Sequence, residues 1–189
     1  MTEWIVAGLG NPGAAYVGTR HNVGAEVIQL LANEHGGRLK TSAKEHALVD
    51  TIRIHGQRVV LAFPQTFMNE SGRSLGALAR RDGFAPERLI VVHDELDLPV
   101  GALRVKFGGG LAGHNGLRSI KAHLGTADFV RVRIGVDKPP SKERGVSHVL
   151  NRIPKHLREE FDILIGEAAD AVESVIADGV EAAQQRFNR

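Results

Sequence analysis

Along the whole chain, apolar runs of strand length alternate with segments whose apolar residues recur every three or four positions. That interleaving constrains the fold more than any other feature, because one sheet covered by helices satisfies a repeated strand–helix series. Residues 5–9 read as a short apolar strand running into a glycine-rich loop. Residues 22–35 follow as a helix with Val23, Val27, Leu30 and Leu31 on one face, ended by Gly36-Gly37. Residues 48–54 and 58–63 are strands, and His55-Gly56-Gln57 between them predicts a hairpin. Residues 70–81 form a helix stopped near Gly83, and 89–93 is the strongest strand. A strand at 103–107 leads into Gly108-Gly109-Gly110. A helix at 115–124 turns Leu117, Ile120 and Leu124 inward. In the strand 129–136, Val130, Val132, Ile134 and Val136 face one way, Arg131 and Arg133 the other. Residues 137–145 are a loop rich in proline and charge. From Pro154 on the pattern is helical, with Leu157, Phe161, Leu164, Ala168, Val172 and Val175 at helical steps. A last short helix follows Gly179. The expected fold is α/β: a single domain over residues 1–189, with a twisted mixed, mostly parallel sheet flanked by helices.

Composition narrows the function classes. The chain has 22 glycines in 189 residues, against a usual share of about 7%. There is no Gly-X-Y period, so the excess belongs to turns and ligand loops. The absence of cysteine excludes disulfides, iron–sulfur clusters, thiolate zinc sites and thiol nucleophiles. Met1-Thr2-Glu3-Trp4 places an acid where a signal peptide would be basic, and no apolar run approaches the ~18 residues of a membrane span. A soluble protein without a leader or membrane segment is expected. The net charge of +2 conceals an uneven distribution: −1 over residues 1–100, +7 over 101–160 and −4 over 161–189. A basic middle segment is the electrostatic footprint of a polyanion binder. The plainer reading is a solvated face.

Gly8-Leu9-Gly10-Asn11-Pro12-Gly13 follows a strand and matches the G-x-G-x-x-G pattern of dinucleotide sites. Three features oppose nucleotide binding. Pro12 lacks an N–H where a pyrophosphate needs donors. The helix does not start at the loop. No strand ends in an acid some twenty residues on, since Glu34 falls inside the predicted helix. The expectation is a tight loop whose missing Cβ atoms let another chain approach its backbone.

Four segments carry polar residues that core packing does not explain: Tyr16-Val17-Gly18-Thr19-Arg20-His21-Asn22, Phe67-Met68-Asn69-Glu70-Ser71-Gly72, His93-Asp94-Glu95 and Gly113-His114-Asn115-Gly116. Each lies at a strand end or a helix start, and in open α/β sheets such loops gather at one edge. A histidine and an aspartate from separate loops can form a base and its orienting partner. The amides of Asn11, Asn69 and Asn115 can bind carbonyls and N–H groups. No G-x-S-x-G elbow and no H-E-x-x-H is present, which leaves water activated by histidine. Taken singly, His21 reads as a polar helix start, Asp94 as a strand-end turn, Asn115 as a helix N-cap and Met68 as packing.

Together these residues closely resemble the bacterial-type peptidyl-tRNA hydrolase family. The matching blocks are Gly8-Leu9-Gly10-Asn11-Pro12-Gly13 through Tyr16 with Thr19-Arg20-His21-Asn22; Phe67-Met68-Asn69-Glu70-Ser71-Gly72; His93-Asp94-Glu95-Leu96-Asp97-Leu98-Pro99 with Gly101; and Gly108-Gly109-Gly110 with Gly113-His114-Asn115-Gly116-Leu117-Arg118-Ser119. They span most of the chain in the family's order. The resemblance implies a cytoplasmic, monomeric enzyme with no metal or other cofactor. Such an enzyme cleaves the ester between a peptide and the 3′-terminal ribose of tRNA, recycling the tRNA. The resemblance implies His21 as general base, Asp94 as its partner, and Asn11 as the residue distinguishing blocked from free α-amino groups. Tyr16, Phe67, Asn69 and Asn115 would line the substrate site, and Met68 and His114 are counted with them. Which asparagine meets the oxyanion stays open.

With tRNA as partner, the basic stretch acquires a purpose. Lys106, Arg131 and Arg133 are expected to contact phosphates, and Arg104, Arg118 and Lys121 share nearby faces. Residues 137–150 would form a lid. In this lid and just after it the sequence departs from the family: Asp137-Lys138-Pro139 stands where Gly-Arg-Pro is common, and Ile153-Pro154 where an aromatic is common. The alternative function is a non-catalytic RNA-binding module of the same fold. Retention of His21, Asp94 and the three asparagines favours the enzyme.

Overall fold

The computed structural model describes residues 3–188; Met1 and Thr2 of the N-terminal reading, and Arg189, lie outside them. Seven strands form one sheet: β1 (Trp4–Gly8), β2 (Lys40–Ser42), β3 (Ala47–Ile54), β4 (Gln57–Pro64), β5 (Leu89–Glu95), β6 (Leu103–Phe107) and β7 (Val130–Gly135). Their order is β2-β3-β4-β1-β5-β7-β6. The inner four strands, β4-β1-β5-β7, are mutually parallel. Antiparallel partners flank them, β2 and β3 on one side and β6 on the other. The expected mixed sheet is therefore a parallel centre with antiparallel margins, and the predicted hairpin is β3–β4.

The inner strands are apolar almost throughout because helices cover both faces. Trp4 and Val6 of β1 turn to one layer, with α1 (Val23–Glu34), α5 (Lys155–Asp178) and α6 (Val180–Phe187). Ile5 and Ala7 turn to the other, with α2 (Ser71–Asp82) and α3 (Asn115–Leu124). Gly83 and Gly125 stop α2 and α3 in the left-handed conformation, each N–H returning to a carbonyl of the last turn, as helix C-termini require.

Two elements were not legible in the sequence. Strand β2 is three polar residues that gain strand form only by pairing with β3. Helix α4 (Gly145–Leu150) is too short to show a period. Strand β5 also runs past His93 through Asp94 and Glu95, so Asp94 sits on a buried strand rather than in a turn. Asp137 has φ 68°, a left-handed position that favours glycine and tolerates aspartate. That explains how the chain can depart from the family's glycine there: the Asp137 carboxylate accepts the Val100 N–H at 2.9 Å.

The carboxyl ends of β1, β4 and β5 lie side by side, with β1 between strands reached by oppositely directed connections. Ligand clefts form at such switch points. Glycine sets how close the surrounding parts come. A Cβ on Gly8 would lie 2.1 Å from the Gly24 carbonyl oxygen, one on Gly24 2.2 Å from the Val92 oxygen, and one on Gly10 2.8 Å from the Asn22 side chain. The approach expected for another chain at Gly8 and Gly10 is thus made by this protein's own helix and side chain. Gly24→Ala should lower stability by at least about 2 kcal/mol, because backbone oxygens cannot yield to a methyl group. Gly76→Ala in α2, whose added Cβ would meet nothing closer than 3.5 Å, should raise stability by up to about 1 kcal/mol. Urea midpoints of the two variants test this contrast.

Candidate active site

At the carboxyl edge of the sheet a cleft of about 440 Å³ is lined by Asn11, His21, Phe67, Met68, Asn69, Asp94, His114 and Asn115, among others. Strand β5 delivers Asp94 into it almost fully buried. His21 comes from a 3₁₀ turn at Arg20–Asn22, just before α1. Its Nδ1–H donates to Asp94 Oδ2 at 2.7 Å. A carboxylate only accepts, so the bond assigns the proton to Nδ1 and leaves Nε2 with its lone pair. His114 occupies the other oxygen: its Nε2–H donates to Asp94 Oδ1 at 2.9 Å. Its Nδ1 accepts the N–H groups of Gly116 and Leu117, which fixes the tautomer. His114 is therefore the N-cap of α3, and Asn115, expected in that role, is the first helical residue with its amide exposed.

Burial lowers the pKa of His21, but the charge and hydrogen bond of Asp94 outweigh it, and the net shift is upward from 6.5. Burial would raise Asp94, but the two imidazoles overcome it and hold the carboxyl far below its ordinary range. The neighbouring His93 is pushed down to about 3, first by burial and then by His114, so it stays neutral.

Asn11 is buried in the glycine loop, and Asn22 grips its backbone from both sides. Asn22 Oδ1 accepts the Asn11 N–H and Asn22 Nδ2 donates to the Asn11 carbonyl, both at 2.9 Å. Asn11 Oδ1 accepts the Met68 N–H at 2.7 Å. Its Nδ2 is left as a donor at the cleft. Sequence reasoning set Asn22 in the polar segment with His21 and at the helix start but missed this grip on Asn11; in the structure its side chain makes no cap bond to α1. Met68 is core and cleft wall at once, its sulfur packed where a Cβ on Gly116 would stand. Asn69 is exposed on the adjoining turn. Tyr16 reaches the cleft only through Phe67, whose ring it meets edge-on at 6.4 Å.

Helix α4 closes the far side with Val146, Val149 and Leu150, alongside Leu96. Two bonds tie it to the turn bearing His21 and to the end of β7: Arg20 Nη1 donates to the His148 carbonyl at 3.2 Å, and His148 Nε2 donates to the Val136 carbonyl at 2.8 Å. This apolar wall was also missed, since α4 itself was.

The expected phosphate contacts divide. Lys106 is half-exposed on the edge strand β6. Arg133 is half-buried and donates to Glu95 at 3.0 Å. Arg131 is overturned as a phosphate contact: it is 1% exposed, and its guanidinium donates to the carbonyls of Gly109, Gly110 and Ala127. The alternation in β7 set it correctly on the face opposite Val130 and Val132, but the loops on either side of α3 cover it there.

The donor atoms of His21, Asp94 and His114 lie close enough to hold a metal ion, as do those of Glu34, His35 and Glu173. In the first set each Asp94 oxygen already accepts an imidazole N–H. No helix among the described residues is long and apolar enough to cross a membrane.

Comparison with known proteins points one way. The family model described as peptidyl-tRNA hydrolase matches residues 5–189. The chain is 48% identical over 196 aligned positions to the peptidyl-tRNA hydrolase of Cutibacterium acnes, covering 98% of each. It is 51% identical over 180 to that of a Mycobacterium species, covering 95% of this chain and 94% of the relative. The crystal structure of peptidyl-tRNA hydrolase from Acinetobacter baumannii superposes with a TM-score of 0.94 at 38% identity, over all of this chain and 96% of that one.

The His21 ring should titrate above 6.5 by NMR. In Asp94→Asn the midpoint should fall below that value, because burial then acts without the carboxylate. An unmoved midpoint would show that Asp94 does not set it.

Proposed function

The chain belongs to the peptidyl-tRNA hydrolase family, and on that premise we propose how it works: it hydrolyses the ester joining a peptide to the 3′-terminal ribose of tRNA, using water activated by His21. The observation that carries this reading is the Asp94–His21 bond, which leaves a lone pair on Nε2 among exposed amides. Nε2 takes a proton from water as the oxygen attacks the acyl carbon. Asp94 holds the tautomer and stabilises the imidazolium. The imidazolium then returns the proton to the departing ribose oxygen. Amide N–H groups of the cleft stabilise the tetrahedral oxyanion.

The requirement for a blocked α-amino group follows from Asn11. Its oxygen is occupied by the Met68 N–H, so it offers the substrate a donor. A peptide bond on the α-nitrogen supplies an acceptor carbonyl, whereas a free ammonium supplies only donors of its own. Contacts to the peptide backbone leave side chains unread, as an enzyme serving every peptidyl-tRNA requires. Tyr16, Phe67, Met68, Asn69, His114 and Asn115 complete the substrate site. Lys106 meets tRNA phosphate from β6, and Arg133 adds positive charge beside Glu95. Phosphate contacts position RNA without reading its sequence. The protein acts in the cytoplasm as a monomer, and the proposed chemistry runs on these side chains alone.

Release of free tRNA from a purified peptidyl-tRNA tests the reading. Binding without release would favour an RNA-binding module instead. His21→Ala should lower kcat by about 10²–10⁴-fold, the usual worth of a positioned base, while tRNA still binds. Asp94→Asn should lower it less, since the base itself remains. Lys106→Ala should raise KM and make the log–log salt dependence of binding shallower by about one. An unchanged slope would remove Lys106 from the phosphate contacts.

A further inference from the structure

Arg131 is a buried cation for which the reaction has no use. Its hydrogen bonds go to neutral carbonyls, those of Gly109, Gly110 and Ala127, and its guanidinium lies 4.9 Å from the Phe129 ring centroid. Only the planar fork of arginine reaches carbonyls from two loops at once; a lysine ammonium is a point donor. Gly109 and Gly110 are consecutive and exposed, and Gly108 and Gly109 are left-handed, with φ 65° and 86°. All peptide bonds here are trans, so each N–H points opposite the C=O of its own peptide unit. Drawing the Gly109 and Gly110 carbonyls inward to Arg131 therefore turns the N–H groups of Gly110 and Leu111 outward. Neither has an acceptor among the described residues. The Lys106 side chain lies over the same turn: a Cβ on Gly109 would stand 2.6 Å from its Cε and 2.7 Å from its Nζ.

We propose that Arg131 acts as a positioning residue that shapes this loop into a phosphate seat, in which the Gly110 and Leu111 N–H groups and the Lys106 ammonium together hold one backbone phosphate of the bound tRNA. Outward N–H groups beside a cation are the elements of an anion nest. Glycine at 109 leaves room for the ammonium. Asp128, whose carboxylate stands beside Gly108, weakens the seat for a free anion. The seat therefore takes a phosphate whose RNA is held elsewhere too. This inference rests on the reading of tRNA as substrate.

The test is a titration of ¹⁵N-labelled protein with a deacylated acceptor-stem minihelix, followed by amide signals. The Gly110 and Leu111 signals should move along the binding curve, and inorganic phosphate should move them the same way at much higher concentration. Arg131→Lys should raise the minihelix Kd about tenfold, the worth of a charge-assisted contact, and silence those two amides. Combined with Lys106→Ala the losses should be less than multiplicative, because both act on one phosphate. A general loss of structure would not produce that coupling. Stationary Gly110 and Leu111 signals at minihelix saturation would overturn the seat, as would fully multiplicative losses. The wild-type titration decides even if the buried substitution lowers stability. Hydrolysis of peptidyl-tRNA with silent amides would remove the seat alone; absence of both binding and hydrolysis would remove the functional reading beneath it.

Discussion

A nearly inaccessible carboxylate at the end of the central strand β5 organises this protein. An ionised aspartate so deep is costly unless every oxygen is matched. Asp94 is matched twice, by His21 from the loop after β1 and by His114 from the start of α3. The two imidazoles come from different elements and stand with ring centroids 5.4 Å apart, so satisfying one buried charge also fixes the turn before α1 against the start of α3. His114 does more, because its second nitrogen caps α3. Helix, carboxylate and proposed base thus form one hydrogen-bonded chain. Proton-transfer chemistry gains from this, since Nε2 of His21 is held in place before substrate arrives.

The glycines serve that arrangement in two ways. At Gly8, Gly10 and Gly24 they allow close approach of backbone to backbone or to Asn22, which places Asn11 and His21 against β5. At Gly108 and Gly109 they supply left-handed turns that lead the chain from the edge strand β6 back to His114. The first group shapes the reaction centre and the second shapes the basic margin. The pattern that looked like a dinucleotide fingerprint is thus a packing device.

Much of the fold was legible because its signals are local. The strand at 103–107 and the helix at 115–124 agree with the observed bounds of β6 and α3, and the hairpin follows from two strand-like runs and a turn. Strand β2 and helix α4 were not legible, since three polar residues and a six-residue helix exist only through what they pack on. The proposed base and its aspartate were named from motifs and resemblance. The second imidazole on Asp94, the grip of Asn22 on Asn11 and the apolar wall from α4 join residues from 11 to 128 positions apart, and no spacing announces them.

By itself the sequence determined the class of fold, the family and the residue types at the site, because periodicity and motif order are properties of the chain. The tertiary structure decided which way each polar group points and what it costs there. Arg131 makes the difference plain. Alternation put it on the face opposite the valines, where an arginine could meet solvent or protein equally well. Only the packing of the loops that flank α3 against that face determined that its charge is spent on carbonyls inside, with Lys106 left on the outer edge.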